Sequence, residues 1–433
     1  MKINKMNKVV IKINELGPVK NQEIELKPVL LFTGESSLGK SYVNFLAYYL
    51  FYVFSSERMF DFLLEKIGGE VNDKKEFSFD LKSADLIDWM QNDVRKFFVY
   101  LYNFDDFKCG VKFDFKDVEE NFVIKYTRVD TKNNKDKEFF SFNIELNGKK
   151  IRSMTLPQLL EGTIGRVICQ QLCRDFLGID IRRSYLLPPG RASLLTGDYT
   201  VQRGSSKLGL YDLFLRDNDR INSMLLNRWR WFRDDKQNEF FVSQIHNLIK
   251  GDLLMEKDNL YLVTEDRQRI PLGAAASSIK ELTPLLQLIL GGSISNTAIC
   301  IEEPEAHLHP EMQISVVDLL SACINENAFM QITTHSDYFL QRVNQLLKYG
   351  CIKEQNPNRY QEICDETGHR SEYYLDRDNV GAYFFSSENG KTKIEPLTIG
   401  KNGIPMTTFF NAVGILSKEE ESLDNELEKL GLK

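Results

Sequence analysis

The sequence predicts an α/β fold, a mixed sheet flanked by helices, carrying an antiparallel β-subdomain and a helical insertion. Three observations predict it. Short apolar runs of strand length, Pro28 to Thr33, Thr297 to Ile301 and Phe329 to Thr333, are separated by helical segments, as strands buried in a core are. The first run enters Gly34-Glu35-Ser36-Ser37-Leu38-Gly39-Lys40-Ser41, which fits G-x-x-x-x-G-K-[ST], and Tyr42 to Phe54 then reads as a buried helix. Residues 77–150 instead alternate polar and apolar with period two, the mark of half-buried antiparallel strands.

Taken in order, residues 8–13 and 22–26 read as strands joined by a turn at Gly17-Pro18. The glycine turn follows, then a helix from Lys40 to about Met59. Phe77–Leu81, Val111–Phe115, Phe122–Tyr126 and Phe139–Leu146 read as strands of one antiparallel sheet, with Lys132–Lys137 and Asn147-Gly148 as turns and a helix over Ala84–Tyr102. A helix over 157–177 leads to a strand at Arg182–Leu187, stopped by Pro188-Pro189-Gly190-Arg191. Residues 207–250 read as mostly helical and Asn259–Thr264 as an edge strand. Helices over 278–290, 313–325 and 337–347 enclose the second and third apolar strands. The tail gives strands at 372–375, 381–385 and 393–397, then helices from Thr407 and from Lys418.

Composition sets the limits. With 433 residues, 42% hydrophobic and 27% charged, the chain can build a substantial core. A net charge of −7 confines any nucleic-acid contact to a local patch. The longest apolar run is shorter than a membrane span, and the N-terminus lacks a signal-peptide pattern, so a cytoplasmic protein without membrane contact is expected. The seven cysteines are scattered with no C-x-x-C pair, which indicates neither a zinc site nor a disulfide framework.

The residues that could carry chemistry fall in six places. A glycine turn at a helix start aims backbone N–H groups and a partial positive charge at phosphate oxygens; Lys40 would reach the β- and γ-phosphates and Ser41 would ligate Mg²⁺. Ala298-Ile299-Cys300-Ile301-Glu302-Glu303 is an apolar strand ending in two carboxylates, Glu302 to hold Mg²⁺ and Glu303 to polarise the attacking water. His335, in Thr333-Thr334-His335-Ser336, ends the next strand and would contact the γ-phosphate. Ser277 and Ser278 open a helix whose first-turn N–H groups can bind an anion, although a plain Ser N-cap reads the same. His307 and His309, with Glu305 nearby, have metal-ligand chemistry but sit at a loop-to-helix junction that favours ordering of the turn or packing against a neighbouring subunit. Arg228-Trp229-Arg230-Trp231-Phe232-Arg233 interleaves basic and aromatic residues, as a nucleic-acid contact or as an amphipathic helix.

The order of cradle, serine helix, acidic strand and histidine resembles the ATP-binding-cassette (ABC) class of P-loop ATPases. Within it, Glu15 to Gly34 and Glu302-Glu303-Pro304-Glu305-Ala306-His307-Leu308-His309-Pro310 are similar to the branch of RecF, the SMC proteins and the OLD nucleases. The resemblance implies a P-loop NTPase with an ABC-ATPase-like head. Residues 1–60 and 265–415 would form its two parts, 61–200 the β-rich and helical insertion, 201–264 a helical lobe and 416–433 a helical tail. It implies ATP and Mg²⁺ as cofactors, bound by Gly34, Glu35, Ser36, Ser37, Leu38, Gly39, Lys40, Ser41 and Tyr42. Two heads would sandwich the nucleotide, with Ser277 or Ser278 of one facing the cradle of the other, and Glu303 and His335 would serve hydrolysis. The γ-phosphate-sensing Gln of that class has Gln170 and Gln171 as candidates. Transporter subunits differ by a double-glycine signature that is absent here.

Asp376-Arg377-Asp378 offers a D-x-D pair like that of a Toprim nuclease, but a polar turn is the favoured reading, so no nuclease is expected in this chain. Stand-alone ATPases of this pattern resemble those of anti-phage systems such as Septu, PARIS and certain retrons. The function this implies is an oligomeric ATP-driven switch acting on a separately encoded effector, a nuclease in many such systems. The alternative is a RecF- or SMC-like ATPase that clamps DNA. The acidic tail from Lys418 and the loops around 57–75 are candidate partner surfaces.

Overall fold

The computed structural model describes residues 6–68, 74–132, 138–156, 162–196, 208–231, 236–256, 259–292 and 294–430. The chain opens with the antiparallel pair β1 (Val9–Leu16) and β2 (Val19–Glu25), followed by β3 (Val29–Gly34). The helix after the glycine turn is broken: α1 (Lys40–Tyr52) passes through a 3₁₀ turn at Val53–Ser55 into α2 (Glu57–Ile67). Next come β4 (Glu76–Lys82), α3 (Ser83–Tyr102), β5 (Cys109–Phe115), β6 (Asn121–Lys132), β7 (Glu138–Leu146) and β8 (Lys149–Leu156). Helix α4 (Thr163–Leu177) leads to β9 (Arg183–Leu187), then α5 (Arg191–Thr196), α6 (Gly209–Trp231) and α7 (Lys236–Ile249). Strands β10 (Gly251–Glu256), β11 (Asn259–Thr264) and β12 (Arg269–Pro271) precede α8 (Ser277–Leu290), β13 (Thr297–Glu302), α9 (Pro310–Asn325) and β14 (Ala328–Thr333). The chain then runs through α10 (Asp337–Gln355), α11 (Pro357–Thr367), β15 (Val380–Glu388), β16 (Lys391–Pro396) and α12 (Thr407–Lys429).

The organising sheet has the order β16-β15-β3-β14-β13-β9, parallel throughout except for the antiparallel edge strand β16. It is the mixed sheet flanked by helices that the apolar runs predict. Both faces are covered, which is why its inner strands read as continuous apolar runs. Alternate side chains enter two separate cores. Leu30, Phe32, Ala298 and Cys300 join α1, α3 and α4 on one side; Val29, Leu31, Ile299 and Ile301 join α6 to α10 on the other. Helix α1 packs across β13 and β14.

Several expectations need correction. Val111–Phe115 is not in the same sheet as its period-two neighbours: β5 pairs with β1 in the sheet β2-β1-β5, while β4-β6-β7-β8 form another. Period two identifies a strand but not its partner. Asn259–Thr264 is the middle strand of β10-β11-β12, not an edge. Residues 372–375 form no strand; α10 runs eight residues past Leu347, and α11 was not expected. The two tail helices are one continuous helix. The Asn147-Gly148 turn holds, with φ of 49° and 72°, the left-handed geometry of a type I′ hairpin. The other expected turn, at 132–137, lies largely outside the described residues.

Candidate functional site

The site forms where β3, β13 and β14 end on the same edge of the sheet, the crevice in which open α/β sheets bind ligands. A cleft of about 530 Å³ opens there, lined by the glycine turn, both acidic residues of β13 and its loop, Thr333 and His335. Gly34 is required by packing. It sits at φ +117°, and a Cβ there would lie 2.2 Å from the Phe385 carbonyl oxygen of β15. Gly39, at φ +90°, turns the chain into α1.

The lysine folds back over its own loop. Lys40 Nζ donates to the carbonyls of Gly34 at 3.2 Å and Glu35 at 2.5 Å. Burial lowers its pKa, against the raising influence of Glu302, Glu303 and Glu35, in that order. Ser41 Oγ donates to Glu302 Oε2 at 2.5 Å, and Asn44 Nδ2 donates to Glu302 Oε1 at 2.5 Å. Burial pushes the Glu302 carboxyl up, partly countered by these hydrogen bonds. Asn44 is the one strongly polar residue in the apolar run Tyr42 to Phe54, but nothing in the sequence shows that it reaches Glu302. Thr333, Pro18 and Tyr102 also line the cleft; Tyr102 stacks edge-on with Tyr42 at 5.2 Å. Nothing in the sequence marked Tyr102.

Glu303 adopts φ +46°, a left-handed conformation uncommon for a residue with a side chain. Its N–H is held by Thr333 O and Thr333 Oγ1, each at 3.2 Å, and its side chain faces the cleft. Glu305 is a locking residue. Its Oε1 accepts from Thr334 Oγ1 and from the His335 N–H, both at 2.7 Å, so it fixes the loop that presents His335. Burial, then repulsion from the Lys40 ammonium, lowers the His335 pKa and keeps the imidazole neutral near pH 7. His307 and His309 are exposed, and no metal-holding group of three His, Cys, Asp or Glu occurs among the described residues.

Behind the strand end lies Arg191, buried to 2% exposure just after the Pro-Pro-Gly stop. Its Nη1 donates to the carbonyls of Glu302 at 2.9 Å and Pro188 at 3.1 Å. Its Nε donates to Glu281 O at 2.7 Å and lies 3.3 Å from Glu281 Oε2. Arg191 thus ties the N-terminal half of α8, at Glu281, to the carboxylate strand, a link with no signal in the sequence.

The remaining expected residues divide clearly. Ser36, Ser37, Gly39, Lys40, Ser41, Tyr42, Glu302, Glu303 and His335 line one cleft. Gly34, Glu35 and Leu38 form the back of the same turn, Glu35 N–H donating to Phe385 O at 2.9 Å. Ser277 and Ser278 open α8 and do not line this cleft. Gln170 and Gln171 are corrected: both lie on α4 away from the cleft, Gln171 bonding Asp175 within its own helix. Asp376 caps a 3₁₀ turn by accepting from the Asp378 N–H at 3.0 Å, as a polar turn does. Arg228, Trp229, Arg230 and Trp231 fall in α6, but their side chains, and all of Phe232 and Arg233, lie outside what is described.

Residues 233–340 match an AAA ATPase domain family. That segment contains α8, the acidic strand and His335. No curated protein matches the chain. Among the similar solved structures, three are each 12% identical. They are an Smc head bound to the C-terminal winged-helix domain of ScpA (TM-score 0.39, covering 92% of this chain and 98% of that one), the SMC head domain of Thermotoga maritima (0.32, 91% and 100%), and the Smc head of Pyrococcus furiosus with an extended coiled coil, bound to the ScpA C-terminal domain (0.38, 96% and 99%). No described helix is long and apolar enough to cross a membrane.

Proposed function

We propose that this chain binds ATP with Mg²⁺ in the cleft at the glycine turn and hydrolyses it to ADP and phosphate. The observation that carries the reading is the meeting of Lys40, Ser41 and Glu302 in one cleft, with Ser41 Oγ on Glu302 Oε2 at 2.5 Å. A hydroxyl and a carboxylate are the hard oxygen donors Mg²⁺ prefers, and that ion is ordinarily held by one or two protein groups plus phosphates and water. Ser41 and Glu302 would hold it, and it would neutralise charge on the phosphates. The loop N–H groups and Lys40 bind and orient the triphosphate. Glu303 accepts a proton from the attacking water, and His335, neutral and anchored through its N–H to Glu305, donates to the transferred phosphoryl group.

Beyond turnover, the chain acts as a switch: two heads close over the nucleotide, Ser277 or Ser278 of one completing the cleft of the other. Exposure of Ser277 and placement of both serines away from their own cleft favour that arrangement. The output is control of a separate effector, a nuclease of an anti-phage system, supported by the motif order from Glu302 to Pro310. The deciding experiment pairs ATP binding with hydrolysis. Lys40→Ala abolishes binding, whereas Glu303→Gln binds ATP, stalls as a closed dimer and turns over at least about 100-fold more slowly. Parental hydrolysis by Glu303→Gln would remove Glu303 from its role.

A further inference from the structure

Helix α12 spans Thr407–Lys429, and every residue from Ile415 to Leu430 is exposed. A water-facing helix of that length is ordinarily polar all round. This one is not. Val413 (57% exposed), Leu416 (65%), Leu423 (55%), Leu427 (45%) and Leu430 (70%) recur at spacings of three, four and seven. At roughly 100° per residue they fall in a stripe about 100° wide, and from Val413 to Leu430 it runs about 26 Å. The spacing of Leu416, Leu423 and Leu430 is that of a two-helix seam.

The charges around the stripe identify what covers it. By the same helical geometry Asp424 borders one side, with Glu420 just inside that edge, and Glu419 and Glu426 border the other. Lys418 and Lys429 stand on the opposite face, where Lys429 pairs with Glu426. A second copy of α12 laid on this stripe would bring acidic borders against acidic borders, which is destabilising. An anionic lipid surface would be repelled in the same way.

We propose that α12 is a docking helix for another protein, which supplies a helix with an apolar seam bordered on both sides by Lys or Arg. Affinity comes from covering the leucines, and partner choice from the acidic borders. The proposal does not depend on nucleotide binding.

The full-length chain is titrated, by fluorescence anisotropy, into two synthetic 24-residue helical peptides sharing one leucine seam. One has lysine borders, the other glutamate borders. The lysine peptide binds one to one, at least ten-fold more weakly in high salt, while the glutamate peptide does not bind. The variant L416Q/L423Q/L427Q loses at least ten-fold in affinity with unchanged thermal unfolding, because these side chains are exposed. The variant E419K/E420K/D424K/E426K reverses the preference between the peptides. Equal binding of the two peptides, binding of neither, or a dimer of the parent chain that L416Q/L423Q/L427Q dissociates would each overturn the proposal.

Discussion

Ser41 Oγ and Glu302 Oε2 lie 2.5 Å apart although 261 residues separate them in the chain. The contact joins the start of α1, which follows β3, to the end of β13 across β14, so two distant motifs become one site through sheet order.

Glu302 is stabilised locally yet costs the fold stability. Its folded pKa lies above the ordinary 4.5 because it is buried. Protonation is therefore more favourable in the folded state; the contribution is present below about pH 4.5 and lost as pH rises through the folded pKa. Glu302→Gln should unfold at a higher temperature than the parent at pH 7 without nucleotide. The amide can still accept from Ser41, and the unpartnered Asn44 Oδ1 can accept its N–H. The gain should vanish below about pH 4.5, read by calorimetry across pH. A gain that persists at pH 4 would point to packing instead.

Arg191→Met leaves Glu281 buried without its cation and frees the carbonyls of Glu302 and Pro188. Loss of one partner of a buried pair costs about 3–5 kcal/mol. The double variant Arg191→Met/Glu281→Met should recover most of that, and urea denaturation of the three chains measures it. Equal losses in the single and double variants would mean that the pair itself is not what stabilises α8 against β13.

Two glycines separate steric demand from conformational demand. Gly34→Ala must push Cβ into the Phe385 carbonyl at 2.2 Å and should cost more than about 3 kcal/mol, with nucleotide binding lost as β3 and β15 part. Gly148→Ala, at φ +72° with open space around it, should cost only about 1 kcal/mol. Chemical denaturation of both variants gives the comparison.

His335 titrates below the ordinary imidazole value, held down by burial and by Lys40. Acidification through that depressed value would place an imidazolium beside the Glu303 carboxylate and make it a weaker base, so hydrolysis should fall there and hold steady above it. His335→Gln should flatten that limb of the pH–rate profile while lowering turnover about 100-fold.

The cradle, β1 to β3 and the acidic strand were legible because each follows from a local rule: turn glycines, apolar run length, or a lysine and serine at a helix start. The neighbours of β5 were not, since alternation in Val111–Phe115 says which face is buried and not against which strand. Asn44 and Thr333 could have been found as polar residues misplaced in apolar elements. Arg191 could not: its hydrogen-bond partners are carbonyls from three separate segments, and main-chain oxygens leave no trace in a sequence.

The position of β15 beside β3 bears on how the polypeptide emerges from the ribosome. Val29 pairs with Val380, so the floor under the glycine turn is missing until some 350 further residues have been synthesised. A nascent chain would carry its nucleotide motif long before it could grip a nucleotide. Closing so long a loop slows folding and leaves the apolar edge of β3 exposed in the meantime, open to pairing with the wrong strand.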